Sequence, residues 1–358
     1  MRHSLRLPDF PWDTLEPAKN KAAKHPNGIV NLSVGSPVDD VAPGIQLALA
    51  ENAAASGYPQ TIGTPALRQA IIAAMQRRYA CTVENVLPVI GTKEAIALLP
   101  SLLGCNATIL IPEVAYPTYE VAALLAGATP QRLDDPRSSN GNEIDLIFIN
   151  SPANPTGKVL DVEFLKELIS WARSNDVIIA SDECYLGLTW DKKAYSILSD
   201  EVSGGDHRNL IAIHSLSKTS NLASYRAGFL AGDKDLINEL TQLRKHSGLM
   251  VPGPVQAAMA YALDDDEQEL FQKQRYQLRR RALYDAVLGA GFTVHDSEAG
   301  LYLWLTRDED CWDTVDWFAE RGILVAPGSF YGTASQKFVR IALTETDERI
   351  AEFVRRIA

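Results

Sequence analysis

The chain has 358 residues, with 34 Lys and Arg against 45 Asp and Glu and a formal charge of −11. That balance argues against nucleic acid or an anionic membrane surface as a partner, since their phosphates need a basic face. At 46% hydrophobic residues the length suits about two domains with a large core, and a disordered or fibrous chain is excluded.

The opening residues contain Pro8, Asp9, Pro11 and Asp13 and no apolar run long enough for a signal peptide, so secretion is not expected. The stretch up to about Pro43 is too irregular to fold alone, and residues 1–45 read as a segment packing with a small domain. Between Val86 and Gly232 short β-branched runs alternate with helical patterns, the signature of a parallel sheet covered by helices. The predicted strands are Val86–Ile90, Thr108–Ile111, Leu146–Asn150, Val177–Ala180 and Leu210–His214. Asp161 is placed to cap a helix whose Leu165, Leu168, Ile169 and Ala172 share one face. Residues 46–250 therefore read as a large α/β domain.

The richest apolar stretch, Ala95 to Leu103, stops at Gly104, short of the roughly 20 residues that span a bilayer. After Gly253 come a long charged helix, Glu267 to about Leu288, and strand-like runs at Leu301–Leu305, Ile323–Val325 and Phe338–Leu343. Residues 251–358 read as a smaller α+β domain. Cys81, Cys105, Cys184 and Cys311 lie far apart with no CxxC pair, which suits core thiols in a reducing cytoplasm and neither a disulfide frame nor a metal site.

Ligands of open parallel sheets sit beyond the carboxyl ends of the strands, and five such positions are chemically loaded. Gly91-Thr92-Lys93-Glu94 opens an apolar helix whose N-terminus can hold a phosphate. Tyr116, in the loop after Ile111, can stack on a flat ring. Ser151-Pro152-Ala153-Asn154-Pro155-Thr156-Gly157 fixes Asn154 in an extended conformation before a turn. Asp182 brings a carboxylate to the end of a buried strand and needs a cation. Ser215-Leu216-Ser217-Lys218, with Arg226 eight residues on, places a lysine able to capture an aldehyde beside hydroxyls and a guanidinium. Together they ask for a planar cationic ring, a phosphate and an aldehyde, which is pyridoxal 5′-phosphate.

At these residues the sequence resembles the fold-type I aminotransferases of classes I and II, through Asn154-Pro155-Thr156-Gly157, Asp182-x-x-Tyr185 and Ser215-x-Ser217-Lys218 with Arg226. The resemblance runs over nearly the whole chain. It implies a large domain with a mostly parallel, seven-stranded sheet and a smaller α+β domain. It also implies that Lys218 holds the cofactor and shuttles the substrate proton, and that Asp182 pairs with the ring nitrogen, with its own pKa depressed by that cation. Asn154 and Tyr185 would hydrogen-bond the ring's phenolic oxygen, and Tyr116 would stack on the ring. Backbone groups of Thr92 and Lys93, with Ser215, Ser217 and Arg226, would bind the phosphate. Arg340 would fork onto the substrate carboxylate beside Asn154 and Gly35. Tyr58 would reach the phosphate in a neighbouring subunit, implying a homodimer. Ser224 stands where many relatives have Gly, and no match appears for the second arginine of aspartate-specific members.

Leu7–Asp13, Val30–Asp39 and Gly57–Pro65 look like the corresponding stretches of actinobacterial N-succinyldiaminopimelate aminotransferases. The implied reaction moves the amino group of glutamate to N-succinyl-2-amino-6-oxopimelate in lysine and diaminopimelate synthesis. It gives 2-oxoglutarate and the succinylated diaminopimelate by a ping-pong route. Another class I substrate, or a C–S β-lyase that releases pyruvate, is the alternative, since the same motifs begin both reactions. A regulator with an aminotransferase-like domain would need an attached DNA-binding domain.

Overall fold

Seven strands of a computed structural model, which describes residues 7–358, build the large sheet; the part of the opening segment at residues 1–6 lies outside the described residues. Numbering strands through the chain, β1 is Val30–Asn31, β2 Val86–Ile90, β3 Thr108–Ile111, β4 Thr129–Arg132, β5 Ile144–Asn150, β6 Ile178–Asp182, β7 Leu210–Ser215 and β8 Ala227–Gly232. The large sheet runs β2-β8-β7-β6-β5-β3-β4, with β3 to β7 mutually parallel and β8 antiparallel to both neighbours. Helices cover both faces, so the strands carry apolar residues on each side. In β5, Leu146 and Phe148 enter one core, with Ile109, Ile211 and Leu230, while Ile147 and Ile149 enter another with Leu165, Leu168 and Ile179. The helix Gly253–Asp264 adds Ala258, Met259 and Ala262 to that second core.

The remaining strands are β9 Thr293–His295, β10 Tyr302–Thr306, β11 Ile323–Leu324, β12 Ala326–Pro327 and β13 Val339–Ala342. They form an antiparallel sheet β12-β13-β10-β9 and a parallel pair, β1 with β11. Through that pair Leu15, Val30 and Leu32 share a core with Phe318, Ile323 and Phe353. Cys184 and Tyr185, at the carboxyl end of β6, belong to this core too, so the two bodies meet at the ligand edge of the large sheet.

Several sequence expectations need correcting. The strand expected at Val177–Ala180 runs on to Asp182, because Asp182 still pairs with Asn150 and Ile213. The run expected at Ile323–Val325 ends at Leu324, where it pairs with β1; Val325 belongs to no strand, and the next two residues, Ala326 and Pro327, pair with β13. Strand β8 was not expected, because Ala227, Gly228, Ala231 and Gly232 lack the branched side chains that mark strands. Asp161 does precede the helix Val162–Ser174, but it caps no N–H; its carboxylate pairs with Lys192 at 2.7 Å. All four cysteines are buried and unbridged. Among the described residues no helix is long and apolar enough to cross a membrane and no cluster of His, Cys, Asp or Glu is arranged for a metal.

Candidate active site

The carboxyl ends of β5, β6 and β7 open into a cavity of about 380 Å³ roofed by the small domain and by Phe10, Trp12, Val34 and Gly35. Lining it are Thr92, Lys93, Tyr116, Asn154, Asp182, Tyr185, Ser215, Ser217, Lys218, Arg226 and Arg340, besides Gly35. Tyr58 does not join them. It is 95% exposed and lies outside the lining of this chain's own cavity.

One end of the cavity is built for an anion. The helix Thr92–Leu102 starts there with its unpaired N–H groups, and Ser215, Ser217 and Arg226 converge on the same place. Gly91, at φ +74°, leaves room that a Cβ would take from the Arg226 guanidinium. Arg226 itself has φ +55°, a left-handed conformation that costs a branched or long side chain energy, held by the return from Lys218 into β8. Behind this end, Arg244 is 1% exposed and grips both carboxylate oxygens of Glu94, tying the first turn of the helix to the helix Lys234–His246.

The other end is acidic. Asp182 is buried, accepting from the Tyr119 hydroxyl at 2.7 Å and the Cys184 N–H at 3.2 Å. Neither partner is a cation, and burial raises its pKa while the two hydrogen bonds work against that rise; the depression expected from a ring cation concerns the loaded site. Between the two ends stands Lys218, whose ammonium donates to the Gly35 carbonyl. Burial lowers its pKa, towards the neutral amine. Tyr116 sits edge-on to Tyr119, which stacks on Phe148.

Opposite, Arg340 is 2% exposed in the centre of β13. It donates to Asn154 Oδ1 at 2.8 Å and to the Ser33 carbonyl at 2.6 Å, and its guanidinium lies 3.9 Å over the Tyr302 ring. Its Nε is buried without a partner among the described residues. The Asn154 oxygen being taken by Arg340, the amide nitrogen is the atom left for a ligand. Burial pushes the Tyr185 phenol well above its ordinary range, and its hydroxyl lies 3.1 Å from that of Tyr302.

Sequence reasoning missed Tyr119, Cys184 and Tyr302. Tyr119 lies one helical turn after Tyr116, a spacing that could have shown it; Tyr302 hides in an apolar run. The donor set fits pyridoxal 5′-phosphate: phosphate donors at one end, a buried carboxylate short of a cation at the other, and an amine of lowered pKa between them.

Comparison with known proteins agrees with this arrangement. A family model described as aminotransferase class I and II matches residues 27–357. The chain is 55% identical to the protein named Probable aminotransferase Rv1178 of Mycobacterium tuberculosis, over 99% of this chain and 86% of that one. It is 50% identical to the 4-dedimethylamino-4-oxo-anhydrotetracycline transaminase OxyQ of Streptomyces rimosus, over 98% and 99%. An LL-diaminopimelate aminotransferase of Aquifex aeolicus is 30% identical over 98% and 96%. Among solved structures, an aminotransferase of Neisseria meningitidis superposes with a TM-score of 0.90 at 29% identity, covering 98% and 97%. A structure named probable N-succinyldiaminopimelate aminotransferase from Thermus thermophilus does so at 0.87 and 27%, covering 97% and 99%.

Proposed function

Because the chain belongs to the class I and II aminotransferases, enzymes that work with pyridoxal 5′-phosphate, we propose that it moves the amino group of glutamate to N-succinyl-2-amino-6-oxopimelate, acting as a homodimer in the cytoplasm. The observation that carries amino transfer is the pairing, in one cavity, of Lys218 with the buried Arg340: an amine for the aldehyde and a fork for an α-carboxylate. Supporting the acceptor are the stretches resembling the succinyldiaminopimelate enzymes, the distant relatives named for diaminopimelate, and Lys93, exposed at the mouth where a remote carboxylate would lie.

When bound, the cofactor supplies a ring that accepts the electrons released as the substrate Cα proton leaves. Asp182 would hold the ring nitrogen in its protonated form, and Asn154 Nδ2 and Tyr185 would hold the phenolic oxygen. Tyr116 would cover the ring face. The backbone N–H groups of Thr92 and Lys93, with Ser215, Ser217 and Arg226, would anchor the phosphate, joined by Tyr58 of a second copy; its 95% exposure in the single chain suits that role. Lys218 would carry the aldehyde and then move the proton from the substrate Cα. Gly35 and Arg340 would hold the carboxylate, turning the scissile Cα–H bond towards Lys218. Phe10 and Trp12 would screen the mouth from water.

Those two aromatic walls favour a second reading, a flat polycyclic ketone like the one in the name of the Streptomyces relative. A single-half-reaction spectrum separates the readings. Holoenzyme mixed with N-succinyl-L,L-diaminopimelate and no oxo acid should lose its yellow band, as it should with glutamate but not with aspartate. A band that fades with glutamate and persists with the succinylated diamine removes the proposed acceptor. Pyruvate released from a sulfur amino acid would instead indicate a lyase.

Asp182→Asn provides a further test. The raised pKa means the folded chain binds a proton more tightly than the unfolded one, so Asp182 weakens the cofactor-free protein as pH climbs from about 3.8 through its folded value. The asparagine variant without cofactor should therefore melt at or above the wild-type temperature at pH 7. Turnover should fall at least about a hundredfold, because a neutral amide no longer stabilises the ring charge. A lower melting temperature, or preserved turnover, would contradict the role.

A further inference from the structure

We infer that Tyr302 is a positioning residue for this reaction, its ring bracing Arg340 and its hydroxyl holding that of Tyr185. The inference rests on the amino-transfer roles of Tyr185 and Arg340 given above and not on the acceptor.

Strand pairing makes the placement. In β10, Tyr302 faces Ala342 across the ladder and Trp304 faces Arg340, so Tyr302, Trp304 and Arg340 point to one side of the small sheet. Trp304 stacks on Phe338 at 5.0 Å, away from the cavity, which leaves Tyr302 as the β10 side chain that reaches it. It is 4% exposed and meets three parts of the site together. Its ring face lies 3.9 Å from the Arg340 guanidinium carbon. Its hydroxyl is 3.1 Å from the Tyr185 hydroxyl, with the two rings edge to face. That same hydroxyl occupies the space a Cβ at Gly35 would take, and the Gly35 carbonyl is the acceptor for Lys218.

Each contact has a consequence. A guanidinium on a ring face is attracted to the π cloud, and burial strengthens the attraction, so the ring fixes the plane in which Arg340 meets a carboxylate. A hydroxyl bonded to a second hydroxyl has a settled direction, so Tyr302 sets which way the Tyr185 hydrogen points and how strongly Tyr185 bonds the cofactor's phenolic oxygen. Gly35 has no conformational need to be glycine, since its φ is not in the left-handed region; Tyr302 supplies the need.

The experiment uses the full-length enzyme. Tyr302→Phe keeps the ring and removes the hydroxyl. It should shift the pH midpoint of the loaded enzyme's visible band by at least about half a unit, while KM for glutamate stays near wild type. Tyr302→Leu removes the ring as well and should raise KM roughly tenfold. Gly35→Ala pushes the hydroxyl away from the other side and should reproduce the midpoint shift; combined with Tyr302→Phe the shifts should be less than additive. A wild-type midpoint in Tyr302→Phe overturns the link to Tyr185, and a wild-type KM in Tyr302→Leu overturns the bracing of Arg340. If Tyr302→Phe fails to fold, a wild-type midpoint in Gly35→Ala overturns the inference by itself. The titration uses no acceptor, so the result stands whichever acceptor the enzyme takes.

Discussion

Lys218→Ala should remove the yellow band of the loaded enzyme and lower turnover by at least about a thousandfold. Two jobs depend on that one nitrogen. Its lowered pKa, caused first by burial, provides a neutral amine at a pH where an exposed lysine stays protonated, and only the neutral form attacks an aldehyde. In the proposed reaction the same amine, freed when the substrate takes the aldehyde, would take the substrate Cα proton. The phosphate end of the cavity lacks any contribution from the Lys218 side chain, so the variant should still bind the cofactor without the covalent link. Absorbance and a dialysis measurement of bound cofactor together check this. Retained turnover would move the role to another lysine, and Lys93, at the mouth, is the other one lining the cavity.

Arg340→Lys should raise KM for every amino donor by roughly ten- to a hundredfold, with a smaller fall in kcat. The terminal nitrogens of Arg340 each carry two hydrogens. One on each side is committed, to Asn154 Oδ1 and to the Ser33 carbonyl, and these bonds fix the plane of the group. The second hydrogen of each remains for a carboxylate. A lysine ammonium carries one charge but cannot keep two protein acceptors and present a flat pair of donors as well. Stopped-flow binding of glutamate to the loaded enzyme measures the effect directly. An unchanged KM would place the carboxylate elsewhere.

Much of this cavity could be read from the sequence, because strand ends concentrate ligands and the residues after β2, β5, β6 and β7 are unusual for plain turns. What could not be read is three-dimensional in origin. Tyr302 sits among Leu301, Leu303 and Leu305, so its phenol looks like core until the register against Arg340 is known. Phe10 and Trp12 reach the mouth only because the segment before β1 doubles back over the small domain, with the Trp12 indole donating to Ser33. Tyr58 was legible as a chemical type, yet it is 95% exposed and does not line this chain's own cavity. Strand β8 escaped notice for the opposite reason: its small residues, hard to recognise as a strand, allow the close approach of Gly228 to His214 and Thr92.

The reversed direction of β8 has a consequence for how the cavity assembles during folding. Because β8 starts where β7 ends, Lys218 and Arg226 arrive at the same edge on one short connection, and the loop to be closed is small. Arg340 instead finds its acceptors 186 and 307 residues earlier in the chain. Closing such loops costs more entropy and waits on the rest of the fold. The phosphate and lysine half can therefore form as a local unit, whereas the carboxylate half exists only once both ends of the polypeptide are in place.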